Sequence, residues 1–124
     1  MIKKFVFGHP FSTCAVVKDI EKSEGKLPYF TTDGNGNFEY SFSENDIVYG
    51  LGEQARGINK RGWEYVSWNY DNPNHQEDTR SLYGAHNFII VKGTVTFGAF
   101  FDYPGKLVFD IGYTSRNTMK IHAE

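Results

Sequence analysis

An all-β fold, built as an antiparallel β-sandwich, is the class this chain predicts, and three observations carry it. Apolar residues recur with period two in short bursts, and no window of 11 residues repeats them at 3.6. Glycine, proline and asparagine clusters punctuate those bursts, as turns between strands do. The chain also holds 11 Phe, 8 Tyr and 2 Trp, residue types that suit a pleated, half-buried surface.

The elements follow in order. Residues 3–7 and 15–21 run apolar or alternate around Gly8, Pro10 and Ser12, and are expected to be strands. A polar turn spans 22–28. Asp33 to Asn37, D-G-N-G-N, supplies a tight reversal because asparagine and glycine tolerate positive φ. The alternation of Phe38, Tyr40 and Phe42 then puts three aromatics on one face of a strand. After an expected loop over 50–62, residues 63–69 alternate again, with Trp63, Tyr65, Ser67 and Asn69 on one face and Glu64, Val66 and Trp68 on the other. Residues 87–91 and 94–101 flank Lys92-Gly93, and Pro104-Gly105 turns the chain into 106–111, completing a meander. Residues 118–124 alternate as a last strand, so the sheet reads as unfinished there and offers an edge for self-association into a homo-oligomer.

Size and charge narrow the function classes. The 124 residues fit one domain, 1–124, with one core. Against 15 Asp+Glu stand 13 Lys+Arg, a net charge of -2 with no basic run, which argues against a nucleic-acid partner or an anionic membrane surface. Cys14 is the only cysteine, so no intrachain disulfide forms and the thiol reads as a small buried hydrophobe in a reducing compartment. The N-terminus has too short an apolar run for a signal peptide, and no stretch approaches the roughly 20 apolar residues of a membrane helix, so the expected location is cytoplasmic.

The segment 48–90 departs from plain alternation. It carries G-L-G-E at 50–53, a glycine-flanked Lys60-Arg61 pair, W-N-Y-D-N-P at 68–73 and L-Y-G at 82–84, and the run G-A-F-F-D-Y-P-G-K-L-V-F-D-I-G follows at 98–112. In order and spacing these motifs resemble the N-terminal β-domain of glycoside hydrolase family 31, the α-glucosidase family. The resemblance covers about half of the chain. It implies a galactose-mutarotase-like β-sandwich, incomplete at its C-terminal end, as one part of a larger α-glucosidase that continues into a (β/α)8 barrel.

Retaining glycoside hydrolysis needs two carboxyl groups about 5 Å apart. The resemblance implies a nucleophile in a W-x-D-M-N-E type motif on the barrel, and no such motif occurs in these residues. No catalytic residue is therefore assigned here, and Glu77 and Asp78 read as solvated loop charges. Asp71 occupies the matching position of the family's W-N-x-D-x-P loop, which the resemblance places at the rim of the sugar site. A carboxylate there accepts two hydroxyl hydrogen bonds from one ring. The competing reading is an Asx turn ahead of Pro73. Asn72 and Trp68 join Asp71 as candidate substrate contacts, although aromatics on strands more often pack, and the same holds for Trp63 and Tyr70.

Other constellations point to structure. Gly50, Gly52 and Gly57 lack the G-K-[ST] of a phosphate loop and read as residues of a tight crossing. Glu53 is expected to pair with Arg56 or Arg61 and hold that loop. His75, Glu77, Asp78 and His86 match no zinc spacing, so neither a metal nor any other cofactor is expected. Tyr83 and residues 88–90 read as core, and Asp102 and Asp110 as strand-end or turn carboxylates. Three functions remain: a non-catalytic roof over an α-glucosidase site with an α-glucoside oligosaccharide as partner, a free-standing carbohydrate-binding module, or an assembly domain. A module presents a tryptophan on a concave, solvent-facing surface, whereas a roof packs its tryptophans and offers a polar loop tip.

Overall fold

The computed structural model describes residues 1–11 and 20–124. Cys14, and the strand expected at 15–21 apart from its last two residues, lie outside the described residues. Eight strands are present: β1 Thr31–Thr32, β2 Asn37–Ser41, β3 Ile47–Gly52, β4 Trp63–Ser67, β5 Ala85–Lys92, β6 Thr96–Phe100, β7 Leu107–Ile111 and β8 Thr118–Ala123. All pairings between them are antiparallel. They form a five-stranded sheet, β1-β2-β8-β7-β4, and a three-stranded sheet, β3-β5-β6. No described residue is helical, and so no helix long and apolar enough to cross a membrane is present among them.

The period-two pattern dictates what faces inward. From the larger sheet come Tyr40, Tyr65, Leu107, Phe109, Ile111, Met119 and Ile121, and from the smaller one Val48, Leu51, Ile89 and Val91, all in one buried cluster. Each fully buried side chain of this kind contributes roughly 1.5–3 kcal/mol relative to exposure. Aromatic edges tie the layers together: Phe30 meets Phe97 and Phe101 at 5.7 and 5.9 Å, and Phe101 meets Phe38 and Phe109 at 5.4 and 5.8 Å. Such edge-to-face contacts add directionality to the burial.

The turn at Asp33 forms as its residues predict, with Asp33 Oδ1 accepting from Asn35 N at 2.8 Å and Asn37 N at 3.3 Å. The Asn37 side-chain amide first, and then these backbone bonds, hold the Asp33 carboxyl below the ordinary carboxylate range. Asp110 also does what its position predicts, accepting from Tyr113 N at 2.8 Å and Thr114 N at 3.1 Å. The link from β2 to β3 is pinned from inside. Tyr40 donates its hydroxyl to Asp46 Oδ2 at 2.8 Å, and Ser43 N donates to the same oxygen at 2.8 Å. Burial first, then the Asp46 contact, pushes the Tyr40 hydroxyl up to about 12.

Several expectations are corrected. Residues 3–7 do not form a strand: Lys4 makes a single parallel bridge to Lys22, and Phe7 packs edge-on against Phe38 at 5.2 Å. Their apolar character serves side-chain packing, which a run of residues satisfies without a ladder. The expected loop at 50–62 begins inside a strand, since β3 runs to Gly52. The last strand is no edge, because β8 pairs with β2 on one side and β7 on the other. A segment read from its own alternation gives no information about its neighbours in space.

The crossing at 50–52 is where glycine is required. Gly50, Leu51 and Gly52 all take positive φ, at 120°, 66° and 71°, and the register with β5 shifts between Gly50 and Gly52. A Cβ on Gly50 would lie 2.2 Å from Phe88 O, and one on Gly52 would lie 2.4 Å from Gly84 O. The strained backbone delivers Leu51 into the core, where it is 1% exposed.

Candidate functional site

The connection from β4 to β5, residues 68–84, holds all three candidate substrate contacts. Its base is built from side chains that replace the missing ladder. Val66 N donates to Arg80 O at 2.8 Å, extending β4 by one strand-like contact. Ser81 Oγ donates to Trp68 O at 2.7 Å, and Ala85 N donates to Asn69 Oδ1 at 2.9 Å, which closes the loop across its neck. Ser67 Oγ and Asn87 Oδ1 bond just beneath. Arg80 pairs with Glu64 on the outer face.

A brace comes from the preceding loop. Arg56 Nη2 donates to Asp78 O at 3.0 Å and Nη1 to Glu64 O at 3.4 Å, while the guanidinium lies 4.0 Å from the centre of the Trp63 ring. This cation–π contact accounts for Trp63 better than sugar stacking does, since one ring face is already occupied. The Tyr65 hydroxyl and Arg56 Nε are buried beneath without hydrogen-bond partners among the described residues. Burial pushes the Tyr65 hydroxyl up, with Arg56 opposing the shift. Neighbouring Lys60 is 6% exposed and donates to Gly57 O at 2.9 Å, and its ammonium is held below its usual range by burial and then by Arg56.

The expected ion pair from Glu53 to Arg56 or Arg61 does not form. Both arginines instead serve backbone carbonyls, for which a planar fork with five donors is better suited than one carboxylate partner. Arg61 donates to Ser43 O, Glu44 O, Asp46 O and Arg116 O at 2.9–3.1 Å and covers the Phe42 ring at 4.4 Å. It staples three loops that are remote in sequence.

At the tip the polar groups divide. Asn72 is engaged locally: Nδ2 donates to Tyr70 Oη at 3.1 Å, and Oδ1 accepts from Asn74 N at 3.0 Å. The Asx turn around Pro73 therefore belongs to Asn72, and Asp71 is left exposed with no hydrogen-bond or ion-pair partner among the described residues. Gln76 N donates to Thr79 Oγ1 at 2.9 Å, which tightens the return limb. An exposed carboxylate on a braced loop can accept two hydrogen bonds from an incoming polyol without breaking any contact of its own.

Packing was expected for the aromatics nearby, and the structure leaves them half exposed: Trp63 43%, Trp68 49% and Tyr70 44%. Tyr83, read as core, is exposed, as are Phe88 and Ile90 on either side of buried Ile89. Alternation along β5 sends only one residue of that apolar triplet inward. No group of three or more histidine, cysteine, aspartate or glutamate side chains gathers for a metal among the described residues. Two grooves, of about 260 Å³ beside residues 5–7 and 22–27 and about 410 Å³ over β1, β2 and β8, are both lined by residues outside this loop. Asn69 and Ser81 are positioning residues that sequence reasoning missed, while Arg56, expected to hold the preceding loop through Glu53, braces this one through carbonyls. Asn69 stood in the W-N pair, yet its partner lies 16 residues away.

Residues 15–110 match the family described as the glycosyl hydrolase 31 N-terminal galactose mutarotase-like domain. An α-glucosidase from Saccharolobus solfataricus is 33% identical over 118 residues, 90% of this chain and 17% of the relative. Alpha-glucosidase 2 of Bacillus thermoamyloliquefaciens is 35% identical over 91 residues, 71% of this chain and 12% of the relative. Among solved structures, a glycoside hydrolase family 31 dextranase from Flavobacterium johnsoniae superposes with a TM-score of 0.62 at 28% identity, over 77% of this chain and 12% of that one. A cycloalternan-degrading enzyme from Trueperella pyogenes shares the fold, with a TM-score of 0.67 at 14% identity, over 82% of this chain and 16% of that one. The chain thus spans less than a fifth of the length of each of these relatives.

Proposed function

Because this chain belongs to the family of glycosyl hydrolase 31 N-terminal galactose mutarotase-like domains, we propose that it is the non-catalytic β-sandwich of an α-glucosidase, one that releases terminal α-linked glucose and whose catalytic carboxylates reside on a separate barrel. Its own share of the chemistry is recognition. The tip of the 68–84 loop borders the sugar site, and Asp71 accepts hydrogen bonds from two hydroxyls of one glucose ring. The carrying observation is the division of labour at that tip: Asn72 makes the turn and Asp71 stays unpartnered on a loop pinned at its neck.

Rigidity at the base matters because orientation is where such a contact gains its effect. A carboxylate held within reach of the ring loses little freedom on binding, and a charged hydrogen bond is worth about 1.5–3 kcal/mol when the partner is desolvated. Asp71→Ala in the enzyme that joins this domain to its barrel is expected to lower kcat/KM on maltose by about tenfold to a hundredfold. Unchanged affinity and turnover would overturn the proposal.

Half-exposed Trp68 and Tyr70 support a second reading, a carbohydrate-binding module that holds sugar by stacking. Titration of this chain alone with glucose and maltose separates the two. Binding at millimolar or tighter favours the module, and its absence favours the rim.

A further inference from the structure

We propose that Arg56 is the positioning residue for Asp71: held in a strained backbone conformation, it fixes the tilt of the 68–84 loop against the sandwich and so sets where the carboxylate meets a sugar ring. This inference rests on the reading of Asp71 as a rim contact.

The contacts of the loop divide into two kinds. Most tie it to itself or to β4, from which it springs. Val66 N donates to Arg80 O at 2.8 Å, Arg80 pairs with Glu64, Ser81 Oγ donates to Trp68 O at 2.7 Å, and Gln76 N donates to Thr79 Oγ1 at 2.9 Å. These bonds stiffen the loop within itself. Its far end is anchored separately, where Glu53 N donates to Gly84 O at 2.8 Å. A loop held only at its two ends can turn about the line between them, and a third attachment in the return limb stops that rotation. Among the described residues outside 63–84, only Arg56 hydrogen-bonds to residues 70–83, through Nη2 to Asp78 O at 3.0 Å. Its Nη1 reaches Glu64 O at 3.4 Å on the outgoing limb, so one planar guanidinium spans both limbs.

The backbone at Arg56 points the same way. Its φ of 74° lies in the left-handed region, which is costly for a residue with a Cβ, whereas Gly57 next in the chain could take that conformation freely and does not. Strain of this kind persists where the surroundings over-determine a residue. Here the guanidinium lies 4.0 Å from the centre of the Trp63 ring and 5.4 Å from that of Tyr65. The left-handed position thus falls on the residue whose side chain reaches the loop.

A double-mutant cycle in the enzyme that joins this domain to its barrel tests this, with kcat/KM on maltose measured for the native enzyme, Arg56→Gly, Asp71→Ala and the two combined. Glycine accepts a φ of 74° without strain, so Arg56→Gly removes the side chain and leaves the backbone path. Arg56→Gly is expected to lower kcat/KM about fivefold to tenfold with Asp71 present and less than about twofold with Asp71→Ala, because misplacing a carboxylate has no effect once it is absent. Where Arg56→Gly fails to fold, as read by circular dichroism, Arg56→Lys takes its place in the cycle. It keeps the charge over Trp63 without the fork, for a smaller loss that again vanishes without Asp71. Equal losses in both backgrounds overturn the proposal, since they mean a role independent of Asp71, and so does an unchanged kcat/KM in the folded variant. A native kcat/KM for Asp71→Ala instead overturns the rim reading itself, and this inference with it.

Discussion

The crossing at Gly50–Gly52 and the tip at Trp68–Pro73 both lie within the stretch that matches the family, residues 15–110, and they behave as opposites. At the crossing the fold leaves no room: the backbone is left-handed over three residues, a Cβ on either glycine would fall within 2.4 Å of a backbone carbonyl oxygen, and Leu51 is delivered to the core. At the tip the commitments stop one residue short of Asp71. A motif can persist because the fold fails without it or because a ligand needs it, and the contacts tell which. Where the neighbours are the protein's own backbone the motif shapes the fold, and where they are solvent it is free to serve recognition.

Substitution should break the crossing first. Gly50→Ala forces a Cβ into Phe88 O and holds alanine at a φ of 120°, and is expected to cost about 3 kcal/mol or more in urea denaturation, or to prevent folding. Next comes the clamp beside it. Arg61→Met keeps the cover over Phe42 but leaves four loop carbonyls without their donor, for an expected loss of about 1–3 kcal/mol.

A pH series sharpens the same region. The Tyr40 hydroxyl is raised from 10.0 to about 12, so folding favours its protonated form. Its contribution is whole below pH 10.0, where folded and unfolded chains both keep the proton, and is lost as pH rises toward about 12. Unfolding free energy should fall across that interval more steeply in the native chain than in Tyr40→Phe, and equal slopes would refute the assignment. The smallest effect belongs to the tip. Asp71→Ala should leave stability within about 0.5 kcal/mol of the native chain by thermal denaturation, and a large loss would mean that Asp71 shapes its loop after all.

Much of the strand layout was legible because it rests on local periodicity. The reversal at Asp33, the aromatic face of β2, the hairpin around Lys92-Gly93 and the Asp110 turn all depend on residues a few positions apart. Strand β3 was not, because its glycines read as a loop until the β5 backbone is placed against them. The triplet Phe88-Ile89-Ile90 is uniformly apolar and gives no sign of which residue faces in. The loop neck escaped notice because Asn69 and Ala85, like Ser81 and Trp68, meet only after β4 and β5 have taken their places.

By itself the amino-acid order determined the class of fold and the family, since pattern and motif are properties of neighbours along the chain. Tertiary structure alone decided that the last strand is central, that the arginines hold carbonyls and not Glu53, and that Asp71 has no partner among the described residues. Those outcomes depend on which backbones approach one another across the sandwich, a matter of packing and hydrogen-bond satisfaction that no local pattern encodes.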